Sequence, residues 1–170
     1  VTAPEPRAGD FGLVKINGYA GRLIRLGQAL NGDGFGEFEH AVLHVGSDEL
    51  IEAEPGGARI RPVSEYDGTN IVWSDWSLTG AARYSIETHG RALVGVPYSA
   101  LDYFALAAHR LRVPAPGLRD RVANSHHLIC SQLVDEAYFA AGLTMFDDGR
   151  WSGYVTPGSL VRALHGPVTA

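Results

Sequence analysis

Between Phe38 and Val63 the chain reads as strand, turn, strand, turn, strand, and that run limits the folds open to it. Phe38 to Val45 is strand-like and ends in Gly46-Ser47-Asp48, a turn signal. Glu49 to Glu54 is the next strand, so the two form a hairpin. Pro55-Gly56-Gly57 turns the chain again, and Ala58 to Val63 supplies a third strand. Phe11 to Ile16, followed by Asn17-Gly18, and Ile71 to Trp76 add two more short strands. Helical spacing takes over downstream. Leu78 to Val94 stops at Gly95-Val96-Pro97, and Tyr98 to Leu111 is a second amphipathic helix. Leu128 to Ala141 is the clearest, with Leu133, Val134, Ala137 and Tyr138 on one apolar stripe and Gly142 as its cap. Shorter helices are expected over Arg22 to Leu30 and Ser159 to Leu164, with a loop across Val113 to Asn124. Strands cluster first and helices follow, so the class is α+β with a mainly antiparallel sheet. The 170 residues fit a single domain spanning 1–170.

Composition removes several functions. The one cysteine, Cys130, excludes an internal disulfide and any zinc site that needs two or four thiolates. Fourteen Lys and Arg stand against 19 Asp and Glu, with no basic run, which argues against nucleic acid or an anionic membrane as partner. No apolar run approaches the ~20 residues of a membrane span. The opening Val1-Thr2-Ala3-Pro4-Glu5-Pro6-Arg7 lacks the charged and apolar regions of a signal peptide. The expectation is a cytoplasmic protein, or one delivered by another route such as a phage or a secretion system.

Cys130 sits at or near the first turn of the clearest helix. Unpaired amides and the helix dipole favour negative charge there, so a thiol ionises more readily and the same amides can hold an oxyanion. A free cysteine on an apolar helix face also serves as packing material, and position alone leaves both roles open. A thiolate enzyme needs a base. His40 and His44 lie on one face of the predicted strand, since side chains repeat every second residue. A hairpin centred on Ser47-Asp48 puts His40 at the level of Glu54 or slightly beyond, and His44 nearer Glu52. Either carboxylate can orient an imidazole and stabilise its charge.

These residues resemble a family. His40-Ala41-Val42-Leu43-His44-Val45-Gly46 followed by Leu50-Ile51-Glu52-Ala53 resembles the histidine-strand block of the NlpC-like cysteine peptidases, and Cys130-Ser131-Gln132-Leu133-Val134 resembles their nucleophile helix. The order is His then Cys, as in the circularly permuted papain-like branch that holds the YiiX-like proteins and the lecithin–retinol acyltransferase group. Gly95-Val96-Pro97-Tyr98, Tyr138, the opening Gly9-Asp10-Phe11 and the closing Thr156-Pro157-Gly158-Ser159-Leu160 are similar to YiiX-like elements. The resemblance implies a papain-like sheet packed against helices, with the nucleophile at a helix N-terminus. It implies Cys130 as nucleophile, His40 as base, Glu52 as orienter with Glu54 as its alternative, and the Tyr98 hydroxyl beside the reacting centre.

The implied activity is a thiol hydrolase, a cysteine peptidase or amidase without cofactor. It would cleave an amide in a peptidoglycan stem peptide or a related peptide conjugate through an acyl-enzyme. Acyl transfer or ester hydrolysis on a lipid, and a non-catalytic binding module, are the other two classes. His44, Ser131, His126 and His127 are candidates for the substrate pocket, although the last two read more readily as loop and cap residues. A metal site is not expected, because His40 and His44 lie ~13 Å apart along an extended strand. Arg59 and Arg61 share a strand face and read as solvated, the tryptophans 73, 76 and 151 as core or rim, and Gly32-Asp33-Gly34-Phe35-Gly36 as a flap before His40.

Overall fold

The computed structural model describes residues 5–15, 37–54, 56–97, 129–150, 152 and 155–168. Its strands are β1 (Phe11–Val14), β2 (His40–His44), β3 (Glu49–Glu54), β4 (Gly57–Pro62) and β5 (Ile71–Trp73). A 3-10 turn, Val63–Tyr66, follows β4, and the helices are α1 (Gly80–Ala92), α2 (Cys130–Ala140) and α3 (Pro157–Arg162). The strands form one antiparallel five-stranded sheet in the order β4-β3-β2-β1-β5. The class is therefore α+β. The expected helices over Arg22–Leu30 and Tyr98–Leu111, the turn at Asn17-Gly18, the glycine-rich flap, the loop from Val113 to Asn124 and Trp151 lie outside the described residues. Among the described residues no helix is long and apolar enough to cross a membrane.

β2 is the middle strand and is buried along its whole length. Its alternate residues serve two apolar layers. Ala41 and Leu43 join Phe11, Leu13, Ile51 and Ala53 in the main core, which Ile86 of α1 and the α2 stripe Leu133, Val134, Ala137 and Tyr138 complete. Val42 faces the other way, where it meets Val14 and Leu50 beneath Val63, Tyr66, Ile71 and Trp73. Each such fully buried aliphatic side chain contributes about 1.5–3 kcal/mol. Helix α1 settles on β2 at Gly90, where a Cβ would lie 2.6 Å from Leu43 Cδ2.

The β2–β3 turn needs three left-handed residues in a row, Gly46, Ser47 and Asp48, with φ of 77°, 51° and 57°. Serine and aspartate tolerate that region through local hydrogen bonding better than branched residues do. β5 ends three residues before Trp76, short of the expected strand. Ser74 Oγ accepts the Phe11 N–H at 2.9 Å, and the Asp75 N–H donates to the Leu164 carbonyl at 3.0 Å, so the backbone leaves the sheet toward the end of α3. Trp76 then fills the core and Trp73 stays on the rim, as their type suggested.

The helix ends follow their sequence signals. Thr79 Oγ1 accepts the Ala82 N–H at 3.2 Å, which starts α1 two residues after Leu78. Gly142, at φ 78°, ends α2; the Gly142 N–H donates to Phe139 O and the Leu143 N–H to Tyr138 O, the paired bonds of a Schellman motif. Thr156 and Ser159 form a reciprocal capping box with Pro157 at the first turn of α3.

Candidate active site

Cys130 is the first residue of α2 and is 8% exposed. The residue before it, Ile129, is extended and has no side-chain oxygen to cap the helix. The first helical bond of α2 runs from the Leu133 N–H to the Ile129 carbonyl at 3.0 Å, so the amides of the first turn lack intrahelical partners. Ser131 fixes this helix start: it is fully buried, and its hydroxyl donates to the Val155 carbonyl at 2.7 Å. The hydroxyl thus faces the segment before α3.

His40 opens β2, and on one side its imidazole is near enough to the Cys130 side chain to feel its charge. On the other, Nε2 meets Glu52 Oε2 at 3.1 Å. Glu52 holds Nε2, which leaves Nδ1 as the nitrogen available to sulfur. All three side chains are buried, Glu52 being 2% exposed. Burial disfavours the imidazolium, but the charge of Cys130, followed by the hydrogen bond and charge of Glu52, outweigh it and raise the His40 pKa well above 6.5.

The β2–β3 register pairs Val42 with Glu52 and His44 with Leu50. Glu52 is thus diagonal to His40, and the expected proximity of His44 to Glu52 does not occur. Glu52 gathers a dense set of donors. Oε1 accepts from Arg59 Nε at 3.2 Å, Arg59 Nη2 at 3.1 Å and Arg61 Nε at 3.4 Å. Oε2 accepts from Tyr66 OH beside His40. Burial alone would raise the carboxyl's pKa, yet the bonds from His40 and Tyr66, with the charge of His40 and the Arg59 contact, pull it down to about 2. The half-buried Tyr66 phenol, donating to this carboxylate, is pushed far above its usual 10 by its partial burial and that bond. Arg59 and Arg61, expected as a solvated face, are instead half-exposed struts of this carboxylate. Pattern reading missed them and Tyr66. Their shared two-residue period with Glu52 across β3–β4 was the available signal for the arginines.

His44 lies apart from this cluster. It is buried at the far end of β2, its Nδ1 accepts the Gly46 N–H at 3.2 Å, and its ring meets Trp73 edge-on at 5.7 Å. Burial lowers its pKa despite the nearby charges of Asp10, Asp48 and Glu87. Burial and neighbouring charges thus shift two histidines on one strand face in opposite directions. Glu54 ion-pairs with Arg59. Tyr98, His126 and His127 lie outside the described residues.

Tyr138, Asp10 and the end blocks serve the scaffold. The Tyr138 hydroxyl donates to the Gly9 carbonyl at 2.6 Å, and its ring packs edge-on against Trp76 at 5.2 Å. Asp10 accepts from Arg83 Nη1 at 2.7 Å and from the Arg7 N–H at 2.8 Å.

His40, Glu52 and Glu54 bring possible ligand atoms within 4.8 Å of one another. Their donor environment does not fit a cation: guanidinium, phenol and imidazole groups occupy both Glu52 oxygens, and a guanidinium contacts Glu54 Oε2. The cluster is an ion-pair network around an imidazole. No protein-family model matches the chain, and no curated protein matches it. The chemistry therefore rests on the geometry itself: a thiol at an uncapped helix start, an imidazole against it, and a charged carboxylate behind the imidazole.

Proposed function

We propose that the protein is a thiol hydrolase that cleaves an amide bond through an acyl-enzyme on Cys130. The observation that carries this reading is His40, buried beside the Cys130 side chain and bonded at 3.1 Å to the Glu52 carboxylate. Cys130 Sγ attacks the carbonyl carbon as thiolate. The imidazolium of His40 gives its proton to the departing amine, and the C–N bond breaks as the thioester forms. His40 then takes a proton from water, the hydroxide adds to the thioester, and the acid leaves as the proton passes to sulfur. Glu52 keeps the imidazole aimed and stabilises its charged form throughout. The Cys130 amide at the start of α2 is positioned to receive the oxyanion. Tyr98 is the second donor by resemblance to the YiiX-like proteins.

The papain-like relationship and the substrate class belong to the same proposal. The resemblance to the NlpC-like peptidases points to a peptide conjugate, with the peptidoglycan stem peptide as first candidate. The test is a panel of muropeptides and acyl lipids turned over by the wild type and by Cys130→Ala. Amide cleavage that disappears in Cys130→Ala, with the fold retained by circular dichroism, supports the reading. Cleavage that persists without the thiol sinks it. Turnover confined to acyl lipids moves the protein to the acyltransferase or esterase class. Iodoacetamide supplies a substrate-free check: alkylation of Cys130 at pH 6 should run at least about tenfold faster than that of an unactivated thiol. A rate equal to the unactivated thiol's would favour a binding module.

A further inference from the structure

Two carboxylates lie within reach of His40, and the register favours the one that does not hold it. Continuing the β2–β3 pairing beyond Val42–Glu52 places Glu54 directly across from His40. The ligand atoms of His40, Glu52 and Glu54 lie within 4.8 Å of one another. Nε2 nevertheless bonds Glu52, the diagonal neighbour.

The reason lies on β4. Glu54 pairs across the strands with Gly57, which offers no side chain, whereas Glu52 pairs with Arg59. The Glu54 carboxylate therefore leans along the sheet to Arg59, whose Nη2 contacts Glu54 Oε2 and also donates to Glu52 Oε1 at 3.1 Å. One guanidinium thus does two things. It occupies the Glu52 oxygen remote from the imidazole and leaves Oε2 for His40 and Tyr66. It also draws Glu54 away. The groups facing His40 are Cys130 from α2 and both carboxylates from β3, backed by Arg59 and Arg61 from β4 and by Glu65 and Tyr66 from the 3-10 turn.

We propose that Arg59 is a positioning residue that selects Glu52 over Glu54 as the carboxylate partner of His40, with Glu54 a latent second orienter that Arg59 holds in reserve. The proposal rests on the reading of His40 as the base of Cys130, but the imidazole itself reports on it. The proton affinity of His40 would be measured by NMR of histidine-labelled protein in the full chain. Glu52→Gln should lower it by about tenfold or more, since the facing charge is lost while Glu54 stays on Arg59. Arg59→Gln combined with Glu52→Gln should recover at least about threefold of that loss, because Glu54 is released onto the imidazole. Adding Glu54→Gln should abolish the recovery.

A double variant with no higher affinity than Glu52→Gln overturns the selector, as does a recovery that survives Glu54→Gln. Should the double variant not fold, Glu54→Gln is compared alone and in the Arg59→Gln background. It should change His40 by less than about twofold alone and by more than about threefold without Arg59; equal effects overturn the proposal. Failure of turnover on every substrate would remove the hydrolase reading and leave this titration pattern standing. Loss of the pattern with turnover intact removes the selector alone.

Discussion

Replacing Glu52 with glutamine keeps the size of the side chain and deletes its charge, so its effect on stability should carry a pH signature. The Glu52 carboxyl is held at about 2 in the folded protein against an ordinary 4.5. A folded value below the unfolded one stabilises at pH above the unfolded value and is lost as pH falls through the folded one. At ~1.4 kcal/mol per tenfold change, the gap is worth about 3 kcal/mol at pH 7 and about 1 kcal/mol at pH 3. Glutamine also turns an amide N–H toward either the guanidinium or the imidazole and phenol donors, a cost that does not vary with acidity. Urea unfolding of both proteins at pH 7 and pH 3 therefore isolates the charge: the stability gap should narrow by about 2 kcal/mol. His40, whose folded value is raised, adds the opposite flank. Its contribution is full below 6.5 and fades as pH climbs through the folded value, so the gap also narrows in alkali. A gap of equal size at pH 7 and pH 3 would refute the claim that the surrounding donors hold Glu52 charged.

Tyr66→Phe removes one donor from Glu52 Oε2. Bonds to charged acceptors are worth about 1.5–3 kcal/mol, so kcat should fall with KM little changed; an unaltered kcat would make Tyr66 a packing residue only. His40→Asn should abolish Cys130-dependent turnover, whereas His44→Asn should lower the melting temperature and leave kcat within about threefold. Equal losses of turnover from both would place His44 in the site. Gly12→Ala sets a Cβ 2.5 Å from Ile71 Cγ2 and 2.9 Å from the Trp73 ring, and such overpacking costs about 1–3 kcal/mol. The urea midpoint and Trp73 fluorescence should both shift; an unmoved midpoint would mean that β5 slides away at no cost.

The sheet was legible where composition and punctuation agree. β3 spans the residues that alternation and the flanking turns indicate, and the α2 stripe Leu133, Val134, Ala137 and Tyr138 is fully buried. The pairing of His40 with Glu52 over Glu54 was not legible from hairpin arithmetic. It depends on a guanidinium from the following strand and on the absent side chain of Gly57, neither of which a two-strand argument contains. Arg59 and Arg61 look like ordinary surface residues because about two fifths of each side chain is in fact exposed. Tyr66 sits in a 3-10 turn too short to have a period, and only the path of the chain after β4 brings its phenol to Glu52. Ser131 followed a helix-start pattern that resembles a pocket. Its bond to Val155 is a tertiary fact, fixed by where the last helix packs.

The network behind His40 is local in the chain. Its bonds join residues 12, 7 and 14 positions apart, His40 to Glu52, Glu52 to Arg59 and Glu52 to Tyr66. Cys130 lies ninety residues beyond His40. Loop-closure entropy grows with the logarithm of separation, so docking the thiol costs about 2 kcal/mol more than closing the His40–Glu52 loop. The two halves of the site thus carry unequal entropic loads. The carboxylate side of the site is assembled within the hairpin and its neighbouring strand. Docking the thiol requires the longer closure, so loss of the α2 packing is expected to separate Cys130 from His40 before the hairpin opens. On the proposed hydrolase reading, a chain loosened in this way would carry a thiol without its base.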